Sequence, residues 1–266
     1  MGSLQDRVAL VTGGSRGIGR AIAKALADAG AKVAICARDV EAARRTADEI
    51  APAGRQVLAF RTDVTDAQEV RGLVRDLVAR WGEIHILVNN AGMNARIPID
   101  AEDDGRWQAV LAASVLGTYH VTREALRHMP RHAAAAGRGG GGRIINLASV
   151  LGRIGAPGCT AYCTAKHAVI GFTRALALEV AGRGITVNAI CPGWTETAMA
   201  AETMAETAEA LGLSAEAFRR QALEAVPIKR ILDPGEIAAL ALYLASDAAA
   251  GMTGQAISLD GGQVMA

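Results

Sequence analysis

The feature that most constrains this chain is its alternation. Short β-branched runs trade places with Ala/Leu-rich, charge-decorated stretches from one end of the sequence to the other. Strands read at 8–12, 32–36, 57–60, 86–89, 143–147, 185–190 and 256–259, with helices at 20–29, 40–50, 67–81, 104–129, 161–180 and 234–245. Strict alternation predicts a parallel sheet covered by helices on both faces. Val8-Ala9-Leu10-Val11 and the run 84–88 are nearly continuous in apolar residues, as strands buried on both faces require. The expected fold is therefore α/β, a doubly wound parallel sheet of seven strands.

Composition narrows this further. At 266 residues the chain is one large domain or two small ones, and no linker or internal repeat divides it, so residues 1–266 read as one domain. With 51% hydrophobic and 21% charged residues it has the means to bury a sizeable core, unlike a disordered chain. A net charge of +1 argues against a strongly basic nucleic-acid binder. Cys159 and Cys163 are four apart, not a C-x-x-C pair, and no His cluster accompanies them or Cys36 and Cys191. Free thiols, no metal site and a reduced compartment are expected. The first seven residues lack the basic start and long apolar stretch of a signal peptide. No apolar run approaches the roughly 20 residues of a membrane span. A cytoplasmic protein is expected.

Two segments break the rhythm. Residues 132–142 (HAAAAGRGGGG) read as a flexible, solvated insert without chemistry. Residues 195–228 are Ala/Glu/Met-rich and helical in pattern, and they follow the sixth strand. An insertion at a strand's carboxyl end is a candidate substrate lid; the competing reading is a surface helical hairpin that only packs.

The first chemical signal is Thr12-Gly13-Gly14-Ser15-Arg16-Gly17-Ile18-Gly19, between the first strand and the first helix. Its glycines permit a tight turn and let the backbone approach a pyrophosphate, and the helix start behind it offers N–H groups and a positive dipole end. Where an NAD enzyme carries an acid after the second strand, this chain has Ala37 and then Arg38. Arg38 with Arg16 suits a ribose 2′-phosphate, which favours NADP(H) over NAD(H). Asp39 stands one residue late for that acid and suits the cap of the next helix.

The second signal is Tyr162 and Lys166, four apart and so on one helical face. A free Tyr titrates near pH 10, and an adjacent ammonium would lower that value and let the pair exchange a proton with a carbonyl or alcohol oxygen. Ser149, just past the fifth strand, is placed to hold the substrate oxygen, because doubly wound sheets put their sites at strand carboxyl ends.

Taken together and in this order, these motifs resemble the short-chain dehydrogenase/reductase family over nearly the whole chain. The shared set is Thr12 to Gly19, Asp63-Val64, Asn89-Asn90-Ala91-Gly92, Ser149, Tyr162 with Lys166, Pro192-Gly193 and Asp260-Gly261-Gly262. The stretch 185–193 (ITVNAICPG) is similar to those of 3-oxoacyl carrier-protein reductases and aromatic polyketide ketoreductases. The resemblance implies a Rossmann-type single domain in which Ser149, Tyr162 and Lys166 are catalytic. It implies that Tyr162 gives the proton in reduction, that Lys166 binds the nicotinamide ribose and lowers the Tyr162 pKa, and that Ser149 orients the carbonyl. It puts Gly13, Ser15, Arg16, Gly17, Ile18 and Gly19 around the cofactor phosphates, with Arg38 at the ribose. Asp63 and Val64 would meet the adenine, and Asn90, Ala91 and Gly92 would line the cofactor. Pro192, Gly193, Thr195 and Thr197 would lie at the nicotinamide, Thr197 holding its carboxamide.

One position departs from the family pattern. Where the family has an Asn that holds a relay water for the Lys, this chain has Ser114. A shorter hydroxyl that still supports turnover through water is expected. Met93, Leu151, Trp194 and Met199 are candidate substrate-contacting residues.

The resulting expectation is an NADP(H)-dependent ketoreductase acting on a 3-oxoacyl or polyketide-type ketone. Alternatives are a catabolic dehydrogenase of a cyclic, aromatic or hydroxyacid alcohol, NAD-linked in one version, and a nucleotide-binding regulator without catalysis. An acidic acyl carrier protein as partner would need a basic patch; Arg127, Arg131, Arg138 and Arg143 are its candidates, with a solvated face as the plainer explanation. The resemblance also implies a homotetramer built on the long fourth and fifth helices and the C-terminal segment.

Overall fold

The computed structural model describes residues 4–51, 56–130 and 141–265. Seven strands form one parallel sheet: β1 (Val8–Thr12), β2 (Lys32–Ala37), β3 (Val57–Arg61), β4 (Ile86–Asn89), β5 (Arg143–Leu147), β6 (Thr186–Pro192) and β7 (Ala256–Leu259). Their order is β3-β2-β1-β4-β5-β6-β7, and every neighbouring pair is parallel. The chain winds outward from β1 to β3, then returns to the other side of β1 with β4. The order reverses between β1 and β4, and a doubly wound sheet opens its ligand crevice at the carboxyl ends of such a pair.

Helices cover both faces because β1 is apolar at every position but its last and sends successive side chains to opposite sides. Ala9 and Val11 join a core with Ile22 and Leu26 of α1 (Gly17–Asp28), Ala43 and Ile50 of α2 (Val40–Ile50), and buried residues near the C-terminus. Val8 and Leu10 join a second core with Val70, Leu73 and Leu77 of α3 (Ala67–Trp81). Each fully buried Leu or Ile contributes about 1.5–3 kcal/mol of transfer free energy, so the two layers hold the sheet between them.

The stretch expected as one helix over 104–129 is interrupted. It divides into α4 (Asp104–Leu111), a π turn over Ala112–Leu116 and α5 (Gly117–Ala125). The Gly117 N–H reaches back to the Ala112 carbonyl, five residues earlier. Such turns insert one extra residue and are frequent at functional sites; this one has Ser114 at its centre. The lid segment forms α7 (Ala198–Ala210) and α8 (Ala215–Glu224), which follow α6 (Thr160–Val180) and β6 and precede α9 (Pro234–Ala245). No helix among the described residues is long and apolar enough to cross a membrane. Most of the insert 132–142, with Arg131 and Arg138, lies outside the described residues; Gly141 and Gly142 are buried beside β5.

Candidate active site

The loops after β1 and β4 are locked together at the switch point. Asn90 donates its side-chain amide to the Thr12 and Gly13 carbonyls, each at 3.0 Å. The Thr12 hydroxyl accepts from the Asn90 and Ala91 N–H groups, also at 3.0 Å. Gly13 holds φ +63°, and a side chain at Gly19 would run into the Gly13 carbonyl and the Asn90 amide, so glycine is required at both. Asp66, Asp103, Ser214 and Asp233 each cap a helix start with an oxygen, whereas α1 opens at Arg16 with no side-chain cap and no acid in its first turn. Its first N–H groups are left for an anion.

A cleft of about 1880 Å³ runs from this loop to α7 and α8. That is room for a dinucleotide and a small substrate, since drug-sized pockets span about 300–1,000 Å³. All of the sequence-predicted site residues line it except two. Gly19 lies under the glycine loop. Ser114 stands behind the wall, where a methyl group on Gly92 would lie 3.2 Å from its Oγ and 3.7 Å from Lys166 Nζ. The Ser114 Oγ is buried and unpartnered among the described residues.

At one end of the cleft Arg16 and Arg38 are exposed. Asp39 caps α2 through the Ala42 N–H at 3.0 Å, as its position predicts. Burial alone would raise the Asp63 carboxyl, but the Thr65 N–H and hydroxyl, with Arg38 and Arg61, hold it below its usual value. At the other end, Ser149 ends the loop after β5 in extended backbone, and its Oγ accepts from the Leu151 N–H at 3.1 Å. The same hydroxyl lies close enough to Tyr162 to favour its ionised form. Lys166, 6% exposed, donates to the Leu147 carbonyl at 2.7 Å.

The electrostatics differ from the sequence expectation. Tyr162 is pushed up to about 12, because burial outweighs the Ser149 hydroxyl. Lys166 is pushed down to about 8 by burial. The ammonium sits over the phenol ring, 5.5 Å from the centroid, with its head turned to Leu147. As described, Tyr162 is a protonated acid.

Beneath the site lies a buried polar chain that sequence reasoning missed. Asn89 donates to Asn146 at 2.8 Å and to Thr122 at 2.9 Å, and Asn146 donates to Thr173 at 2.9 Å. It ties β4 and β5 to α5 and α6, and so fixes the helix that carries Tyr162 and Lys166. The paired Asn positions, Asn89 and Asn146, were its only trace in sequence. Asn94, Arg96, Cys159 and Phe218 also line the cleft; they sit on loops and α8, where no motif marks them. Helix α8 docks through Phe218, edge-on to Trp194 at 6.5 Å, and through Arg219, 2.8 Å from Glu196. Thr197 caps α7, its hydroxyl accepting from the Ala200 N–H at 3.2 Å.

Of the four arginines offered for a basic patch, Arg131 and Arg138 lie outside the described residues, and only Arg143 departs from a solvated face. Arg127 pairs with the buried Glu124. Arg143 is 2% exposed, not solvated, and bonds the Gly141 and Gly142 carbonyls and Asp247. The four cysteines are free, and no metal-binding group of His, Cys, Asp and Glu occurs among the described residues.

Comparison with known proteins agrees with this architecture. Residues 7–208 match the short chain dehydrogenase family, and the chain belongs to it. It is an oxidoreductase of the kind that acts on CH–OH and ketone groups. It is 38% identical to a protein assigned as a ketoacyl reductase in Streptomyces coelicolor, over 98% of each chain. It is 37% identical to a D-beta-hydroxybutyrate dehydrogenase of Cupriavidus necator, over 98% of this chain and 99% of the other. The crystal structure of a point variant of the actinorhodin polyketide ketoreductase with NADPH superposes with a TM-score of 0.90 at 37% identity, covering 99% of both chains.

Proposed function

We propose that this protein is an NADP(H)-dependent ketoreductase in which Tyr162 protonates a ketone oxygen, Ser149 orients it and Lys166 supports the proton supply. The observation that carries the reading is the placing of Ser149, Tyr162 and Lys166 together on the wall of a dinucleotide-sized cleft that begins at the glycine loop. The uncapped start of α1, the clamped glycine loop and the two exposed guanidiniums fit a phosphorylated dinucleotide. Gly13 to Gly19 would hold its diphosphate, Arg16 and Arg38 its 2′-phosphate, Asp63 and Val64 its adenine, and Ala91, Gly92, Lys166, Gly193 and Thr197 its nicotinamide half. When bound, the cofactor supplies the hydride.

The ketone oxygen then sits between the Ser149 and Tyr162 hydroxyls. Both donate to it, and Tyr162 releases its proton as charge develops on that oxygen. The Lys166 ammonium favours the phenolate left behind, and Ser114, facing it across Gly92, positions the proton that restores the phenol. The residues of α7 and α8 form the lid, with Met93, Leu151, Trp194 and Met199 as apolar walls for the substrate. The working form is a cytoplasmic homotetramer. The test is NADPH consumption, followed by absorbance, across simple ketones, β-keto esters, cyclic diketones and 3-oxoacyl thioesters.

A further inference from the structure

The substrate half of the cleft carries a cation that nothing among the described residues neutralises. Arg96, in the loop after β4, is partly buried and lines the cleft together with Cys159, Tyr162 and Ser149. Arginines on the helices around the cleft are paired: Arg106 of α4 lies 3.7 Å from Asp103 and 3.6 Å from Glu206, and Arg219 of α8 lies 2.8 Å from Glu196. Arg96 has no carboxylate oxygen within 4.0 Å and makes no hydrogen bond among the described residues. Five N–H donors in a planar fork are therefore unspent. A partly desolvated guanidinium without a partner costs stability, which is the mark of a group kept for a ligand.

Its place is built. Gly158 holds φ +73°, and a Cβ there would lie 3.0 Å from the Arg96 Cζ and 3.1 Å from its Nε, so the guanidinium packs on bare backbone. The Ile97 N–H donates to the Gly158 carbonyl at 2.7 Å, and Ile97 forms a parallel bridge with Cys159. These bonds press the Arg96 loop against the turn that opens α6. Asn94 ties the same loop to the lid, donating to the Thr203 hydroxyl at 3.0 Å. Tyr162 follows Cys159 by three residues, about 4.5 Å along a helix axis, and helical side chains lean toward the N-terminal turn. The guanidinium and the reacting phenol therefore share one short stretch of wall.

We infer that Arg96 receives a carboxylate of the substrate, so that the ketone reduced here is a short free keto acid whose carboxylate lies within a few bonds of the carbonyl. The inference rests on the ketoreductase reading above and specifies its substrate class. A guanidinium grips a carboxylate with two parallel charge-assisted bonds, which a neutral ester or thioester does not reproduce.

The experiment has two arms, on wild type, Arg96→Met and Arg96→Lys. The first measures, by calorimetry on the protein saturated with NADP+, the binding of free keto acids of three to six carbons and of their methyl esters. The second measures NADPH-dependent reduction of the same pairs. At least one acid is expected to bind about tenfold or more tighter than its ester. Arg96→Met is expected to abolish that difference by raising Kd and KM for the acid while leaving the ester unchanged, and Arg96→Lys to keep part of it. Equal binding of every acid and ester by wild type, or a preference that survives in Arg96→Met, overturns the proposal. Acid-selective binding without reduction of any ketone leaves the carboxylate site standing and removes the ketoreductase reading. Reduction without acid preference does the reverse.

Discussion

Ser114 and Lys166 face each other across Gly92: a methyl group on that glycine would lie 3.2 Å from the hydroxyl and 3.7 Å from the ammonium. The hydroxyl is buried without a partner among the described residues, at the centre of a π turn. An unsatisfied buried hydroxyl costs about 1–3 kcal/mol, so a purely structural Ser114 is better replaced by alanine. Ser114→Ala is therefore expected to keep or slightly raise Tm and to leave NADPH affinity unchanged. Its kcat is expected to fall about tenfold, the loss of one proton-supplying contact of about 1.4 kcal/mol. Full kcat at every pH would remove Ser114 from the proton supply.

The Lys166 ammonium sets the alkaline limit. Burial pushes it down to about 8, while Tyr162 stands near 12. Below pH 8 the acid and the cation are both in place; as pH rises through about 8, Lys166 loses its charge. The kcat/KM for reduction, which reports the free enzyme, is expected to fall along that limb. The limb should move up in Lys166→Arg, whatever residual rate that variant keeps.

The same shift has a stability sign. The folded value lies below the ordinary 10.5 of an unfolded Lys. Between about pH 8 and 10.5 the unfolded chain binds more protons, so this group's contribution makes the fold more stable as pH rises through that window. Below it, the buried charge is a cost. Lys166→Met is expected to raise Tm at pH 7 while abolishing turnover; a lower Tm would show that the ammonium is a net structural asset.

Cofactor choice is expected to follow Arg38. Losing one charge-assisted contact to a 2′-phosphate removes about 1.5–3 kcal/mol. Arg38→Ala should then lower kcat/KM with NADPH roughly 10- to 100-fold and leave NADH within about twofold. Equal losses with both cofactors would place Arg38 outside the ribose site.

The π turn, α5 and α6 present Leu116, Tyr119 and Leu178, 51%, 43% and 84% exposed. Apolar side chains presented this way suit contact between copies. Light scattering is expected to give four times the chain mass, and Leu178→Glu a smaller species. A monomer mass for wild type would refute the tetramer.

Much of this was legible in sequence. All seven strands were, because buried parallel strands are continuous apolar runs whose pattern is local. The candidate catalytic set was legible because Tyr162 and Lys166 share a helix face and Ser149 follows a strand. What was not legible depends on tertiary contact. The π turn around Ser114 leaves no periodicity signal at its length. Arg143 reads as a solvated strand start, yet carbonyls of two glycines and Asp247 let it sit buried. The rise of Tyr162 comes from burial that spacing cannot show, and Arg96 has meaning only beside Gly158.

The most direct measurement is NADPH consumption by wild type and by Tyr162→Phe over the ketone panel, with NADH in parallel. The account predicts reduction with NADPH, a loss of about 10²-fold or more in the variant, and unchanged NADPH binding. Turnover by Tyr162→Phe at the wild-type rate, or no reduction of any ketone with either cofactor, would contradict it.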